Sequence, residues 1–121
     1  MQEALIARLL SLGATSKSFD AGEKIFLEEQ PGQHMYLVRS GRIDIITYGT
    51  VLENVRAGGI FGEIALIDDG PRSAAAMAQE ACEVIEIPKA TFLALLREQP
   101  QFALEVMRTL AGRIRMMNKY R

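Results

Sequence analysis

The sequence predicts a mainly β fold: a closed or rolled antiparallel structure with one helix before it and two after. Three observations carry that prediction. From Ser16 to Pro88 the chain runs in short alternating or apolar segments, KSF, EKIFL, MYLVR, RIDIIT, VLENV, SAAAMA and CEVIEIP. Between them stand DAG, QPGQ, SG, YGT and AGG, turn chemistry at the short intervals that join antiparallel neighbours. On both flanks the apolar period becomes that of a helix.

Taken in order, residues 1–13 form the first helix, because Leu5, Ile6, Leu9, Leu10 and Leu12 recur at helical spacing and Gly13 supplies a stop. The β segments occupy residues 16–88. Past Pro88, KATFLALLREQ and QFALEVMRTLAGRIRMMNKYR make two helices over residues 89–121, with Pro100 at a first-turn position where its missing N–H costs little. Ala103, Met107, Leu110, Ile114 and Met117 follow one another at spacings of four, three, four and three, the seam pattern of a helix pair. That stripe either packs on its own β structure or joins two copies of the chain.

Composition sets the outer bounds. With 121 residues, 49% of them hydrophobic and 24% charged, the chain fits one domain spanning 1–121. A formal net charge of −1 gives no broad footprint for nucleic acid, so no direct DNA binding is expected. Cys82 is the one cysteine and cannot close an internal disulfide, and the start MQEALIARLL lacks the features of a secretory signal, which makes the cytoplasm the expected compartment. No apolar run approaches the roughly 18 residues a spanning helix needs. His34 and Cys82, the one imidazole and the one thiol, lie far apart and read as structural; Asp68 and Asp69 read as a solvated turn. An enzyme is not expected, and no metal site. Arg113, Arg115, Lys119 and Arg121 read as cations complementing the end of the last helix.

The informative stretch is FGEIALIDDGPRSAAA, residues 61–76. Phe61, Ile64, Ala65, Leu66 and Ile67 are expected to bury its flanks and so carry Glu63 and Arg72 inward, where charge is costly unless something pairs with it. One solution is an ion pair between the two. The other is a ligand with an anionic group beside a hydroxyl: backbone N–H groups around Gly62 and Arg72, with Ser73, would hold the anion, and Glu63 would accept from the hydroxyl. A phosphate on a ribose offers both groups. The stretch is not a Walker loop or a dinucleotide fingerprint.

GIFGEIALIDDGPRSAA closely resembles the phosphate-binding cassette of the cyclic nucleotide-binding domain family. FDAGEKIFLEEQPGQHMYLVRSGRIDI and CEVIEIPKATFLALLREQP resemble that family's first strands and its passage into the C-terminal helices, so the likeness covers nearly the whole chain. The resemblance implies a β-roll, a jelly-roll-like barrel, with the cassette at residues 61–74. It further implies that Glu63 holds a ribose 2′-hydroxyl, that Arg72 and Ser73 hold a cyclic phosphate, and that N–H groups of Gly62, Glu63, Ile64 and Ala65 complete the cradle. Met117 and Asn118 match positions near the purine. Two departures stand out: Glu29-Gln30 replaces the family's usual Gly-Asp, and the turn around Gly49 is shorter than in many members.

The expected function is therefore reversible binding of cAMP, with cGMP also compatible, by a regulatory domain that uses the nucleotide as ligand and has no cofactor. Its expected partners are the nucleotide, an unidentified effector protein and a second copy through the C-terminal helix, without a membrane. Because only Arg121 follows the last helix, signalling is expected to pass through a partner, through dimerisation or through a longer protein of which this is a fragment. The alternative is a domain of the same fold whose ligand site is vestigial and which serves as an interaction or structural module.

Overall fold

The computed structural model of the chain describes residues 2–119, and their side chains as far as Arg115. After α1 (Gln2–Ser11) come β1 (Thr15–Phe19), β2 (Lys24–Phe26), β3 (His34–Ser40), β4 (Arg42–Thr47), β5 (Thr50–Arg56) and β6 (Ile60–Phe61). Then follow α2 (Glu63–Asp68), β7 (Ala75–Ala78), β8 (Cys82–Pro88), α3 (Lys89–Glu98) and α4 (Pro100–Lys119). The strands form two antiparallel four-stranded sheets, ordered β1-β8-β3-β6 and β2-β7-β4-β5. This is the antiparallel β-roll with flanking helices that the sequence predicts. Only β6, two residues long, has no counterpart among the predicted strands.

Alternation explains the layers. On β3 and β8, Tyr36, Val38, Cys82 and Val84 point between the sheets, where they meet Ile43, Val55, Phe61, Ala76 and Ala78. Their neighbours Met35, Leu37, Ile85 and Ile87 point the other way, into a second core with Ile6 and Leu9 of α1, Leu66 of α2, Phe92 and Leu95 of α3, and Phe102 and Val106 of α4. Both strands are thus covered on both faces, which is why MYLV is buried without a break. Leu10, assigned to the buried face of α1 by its spacing, is 39% exposed, because the core centres on Ile6 and Leu9 and takes Leu5 and Leu12 at its margin.

Both turns at which the sequence departs from the resembled family take positive φ. Tyr48 and Gly49 alone join β4 to β5, both with positive φ, as a twisted hairpin requires, and register slips by one residue between Ile45 and Ile46. After β2, Glu29 takes φ 68 in a left-handed conformation that suits glycine better. It is held there by the cassette: its N–H donates to the Arg72 carbonyl at 2.9 Å, and the Arg72 N–H donates to the Gln30 carbonyl at 2.8 Å. Pro31 and Pro71 continue the bridge.

Helix α4 is rotated relative to the predicted stripe. Phe102 and Val106 are buried and Leu110 packs against the same core, whereas Met107 and Ile114 are each 58% exposed. The inward face therefore runs through 102, 106, 110 and 113. Ala103 and Leu110 are half-buried, so the predicted stripe is shared between core and solvent.

Candidate functional site

The cassette begins where β6 ends. Phe61 stacks on Tyr36 with ring centroids 4.9 Å apart, which fixes the strand end, and Gly62 then turns the chain at φ 78 into α2. A side chain at Gly62 is excluded twice, by that φ and because its Cβ would stand 2.9 Å from Arg72 Nη1. No side chain caps α2, so its first N–H groups are not consumed by the usual hydroxyl or carboxylate. Ala65 and Leu66 are buried, but Ile64 and Ile67, expected to be inside, are 40% and 51% exposed, since so short a helix presents only one face to the roll.

Glu63 and Arg72 are both taken out of solvent, at 1% and 4% exposure, and they do not pair with each other. Arg72 donates from Nη1 to the Gly62 carbonyl at 2.7 Å and from Nη2 to the His34 carbonyl at 2.6 Å. Its Nε is buried without a partner. Burial pulls this guanidinium below the ordinary arginine value, against the opposing influence of Tyr36, Glu63 and Glu86. Ser73 is exposed in the bend that follows.

Glu63 is met by a residue the sequence reading assigned elsewhere. Arg113 of α4, read there as a cation complementing the helix end, instead reaches back over the roll: Nη1 binds Glu63, Nε donates to Glu53 at 2.7 Å and Nη2 donates to the Ile60 carbonyl at 2.7 Å. Burial lowers its pKa, but the bond to Glu53 and the charges of Glu63 and Glu53 outweigh that and hold it above the ordinary value. The signal in the sequence was its position one turn before Met117 on the same helix. Met117 and Asn118 have side chains outside the described residues.

Other expectations resolve locally. Asp68 accepts from the Gly70 N–H at 2.8 Å and Asp69 pairs with Lys89, both at the exposed end of α2. Cys82 is buried at one end of β8, while His34 pairs with Pro88 at the other, its ring 3.7 Å from Glu86. Among the described residues no group of three His, Cys, Asp or Glu side chains is placed to hold a metal, and no helix is long and apolar enough to cross a membrane. Two hollows lie beside the cluster. One of about 330 Å³ lies between the loop after β2 and the cassette's Asp69–Pro71, and an apolar groove of about 440 Å³ runs between α2, α3 and α4; neither is lined by Glu63, Arg72 or Arg113.

The family model for the cyclic nucleotide-binding domain matches residues 16–99. The chain belongs to that family. It is 34% identical over 102 residues to the cyclic AMP receptor protein of Thermus thermophilus, covering 80% of this chain and 47% of that protein. It is also 34% identical over 95 residues to the cAMP-dependent protein kinase regulatory subunit of Yarrowia lipolytica, covering 78% and 25%. The crystal structure of the Thermus thermophilus catabolite activator protein superposes with a TM-score of 0.82 at 31% identity, covering 98% of this chain and 56% of that one. The chain thus spans half or less of the length of the two curated relatives. As a cyclic nucleotide-binding domain, it has its cassette arginine and glutamate buried on separate partners.

Two predictions follow from these contacts. Arg113→Met should destabilise the domain by about 3 kcal/mol, because it strands a buried carboxylate. Adding Glu63→Gln should recover part of that loss in urea denaturation, and strictly additive losses would show that the two side chains are not coupled. Tyr36, buried and donating to Glu86 at 3.3 Å, is pushed up to about 12 by burial and by the charge of Glu86. A raised folded-state value means its contribution is intact below the ordinary 10.0 and is lost as pH rises from 10 to 12. Stability should therefore fall more steeply across that window in the parent than in Tyr36→Phe, and parallel curves would overturn the assignment.

Proposed function

We propose that this domain binds a cyclic purine nucleotide, cAMP in the first instance, as the ligand of a regulatory sensor and not as the substrate of an enzyme. The observation that carries the reading is the pair of buried, opposite charges in one cassette that do not neutralise each other. Arg72 retains an unsatisfied Nε and bonds two carbonyls but no carboxylate, which suits a phosphate. Glu63, acceptor-only when ionised, suits a ribose hydroxyl, and a carboxylate has lone pairs enough to accept from that hydroxyl as well as from Arg113. In this reading, N–H groups of Gly62, Glu63, Ile64 and Ala65, with the Ser73 hydroxyl, complete the phosphate cradle, and Met117 and Asn118 lie towards the base. The names of the relatives, a cyclic AMP receptor and a cAMP-dependent kinase subunit, support the choice of cAMP.

Titration calorimetry tests it. cAMP should bind the parent; Arg72→Ala should weaken binding on the order of 10- to 100-fold, and Arg72→Lys should also lose affinity because a point charge does not reproduce the fork. 2′-Deoxy-cAMP should bind about 10-fold or more weakly if Glu63 accepts the hydroxyl. The second reading, a vestigial site in an interaction module, has one observation in its favour: Arg113 already satisfies Glu63. Silence with both cAMP and cGMP would decide for it.

The partner side of the proposal is self-association through α4, supported by the exposure of Met107 and Ile114 next to the apolar groove. Because Arg113 ties the same helix to Glu63, nucleotide should alter the association state. Sedimentation of the parent should show a shift with cAMP that Ile114→Asp abolishes; indifference to both would remove dimerisation from the proposal.

A further inference from the structure

Arg72 is oriented by contacts that the cassette motif does not include. Its Cζ stands 4.0 Å from the centroid of the Phe26 ring, at the end of β2, and 5.9 Å from that of Tyr36. Phe26 is itself fixed by Tyr36 and Phe61, with centroids 5.9 and 6.0 Å away and both pairs tilted. Gly32 closes in from the following loop: a Cβ there would meet Arg72 Cζ and Nε at 2.8 Å and the Ala65 methyl at 2.5 Å. The two carbonyl bonds hold Nη1 and Nη2, and the ring bears on the guanidinium at its central carbon.

No carboxylate does this work. Among the described residues Arg72 makes no ion pair, although two acids stand close to Phe26 in the chain. Glu28 turns away to accept from the Thr47 hydroxyl at 3.1 Å and the Tyr48 N–H at 3.3 Å, and Glu29 is exposed in its strained turn. The distinction matters chemically. A carboxylate on Arg72 would have to be displaced by, or share the cation with, an incoming anion. An aromatic face attracts the cation through its quadrupole and consumes none of its N–H donors, so Nε stays without a partner.

We propose that Phe26 is a positioning residue for Arg72, holding the guanidinium where an anion can meet it without tying it up in an ion pair. The proposal rests on the nucleotide-binding reading for its functional consequence, and on the ring–cation contact alone for its geometry.

Two measurements test it. In a proton–nitrogen correlation spectrum, assigned by its loss in Arg72→Lys, the Arg72 Nε–H signal of the parent should be shifted by the ring current of Phe26. The shift should survive in Phe26→Tyr and collapse in Phe26→Leu. In calorimetry with cAMP, Phe26→Leu should weaken binding about 3- to 30-fold and Phe26→Tyr by less than about 2-fold. The Leu penalty should shrink when Arg72 is already Lys, since the guanidinium that the ring positions is then gone. An unshifted Arg72 signal, or a Leu penalty of the same size in the Arg72→Lys background, would overturn the proposal. If the parent binds neither cAMP nor cGMP, the function reading fails and the spectrum alone decides the geometry.

Discussion

Two desolvated charges govern the rest of this structure. A carboxylate and a guanidinium withdrawn from water must each find hydrogen-bonding partners, and here they find separate ones. Arg72 takes carbonyls from Gly62 and His34 and a ring from Phe26, which ties the cassette to β2, β3 and the glycine turn before α2. Its backbone is clamped as well, by the paired bonds to Glu29 and Gln30. The left-handed Glu29 is thus a local strain maintained by the cassette it supports, a cost that a glycine at the same place would not carry.

Glu63 links the roll to its last helix. Because Arg113 also binds Glu53 and the Ile60 carbonyl, a single side chain pins α4 to β5, β6 and α2 at once. The apolar contacts of Phe102, Val106 and Leu110 choose the helix's face; the ion pairs at its far end hold its tilt. Burial, which by itself disfavours a charged arginine, is here outweighed by two carboxylates.

The β architecture was legible because its causes are local. Alternation and short apolar runs placed the strands; that MYLV is covered on both faces emerged only with the structure. The inward charges of the cassette were legible too, since Phe61, Ala65 and Leu66 bury their neighbours whichever elements come to cover them. What escaped depends on contacts distant in sequence. β6 is two residues whose strand character comes entirely from pairing with Tyr36 and Leu37. On α4 two stripes, 103-107-110-114 and 102-106-110-113, fit helical spacing equally well, and only docking against α3 and the roll selects the second. Arg113 was missed for the same reason: a cation near a helix end satisfies the dipole rule without any tertiary partner.

Charge counting shows why the arrangement is stable as it stands and yet responsive to an anion. Glu53, Glu63, Arg72 and Arg113 sum to zero, so the cluster exists without counterions, but the neutralisation is uneven: both carboxylates lie on Arg113 and none on Arg72. In the proposed function a phosphate completes the unpaired side, while a hydroxyl on Glu63 adds a second donor to a carboxylate Arg113 already holds. Whether α4 tightens or loosens then depends on a difference, the gain at Glu63 when hydroxyl and Arg113 share it against the loss if they compete. Glu53 bears on that difference directly. It offers Arg113 a partner on β5, outside the cassette, so in that proposal the helix keeps an anchor and a signal through α4 would be limited to the change in one bond of three.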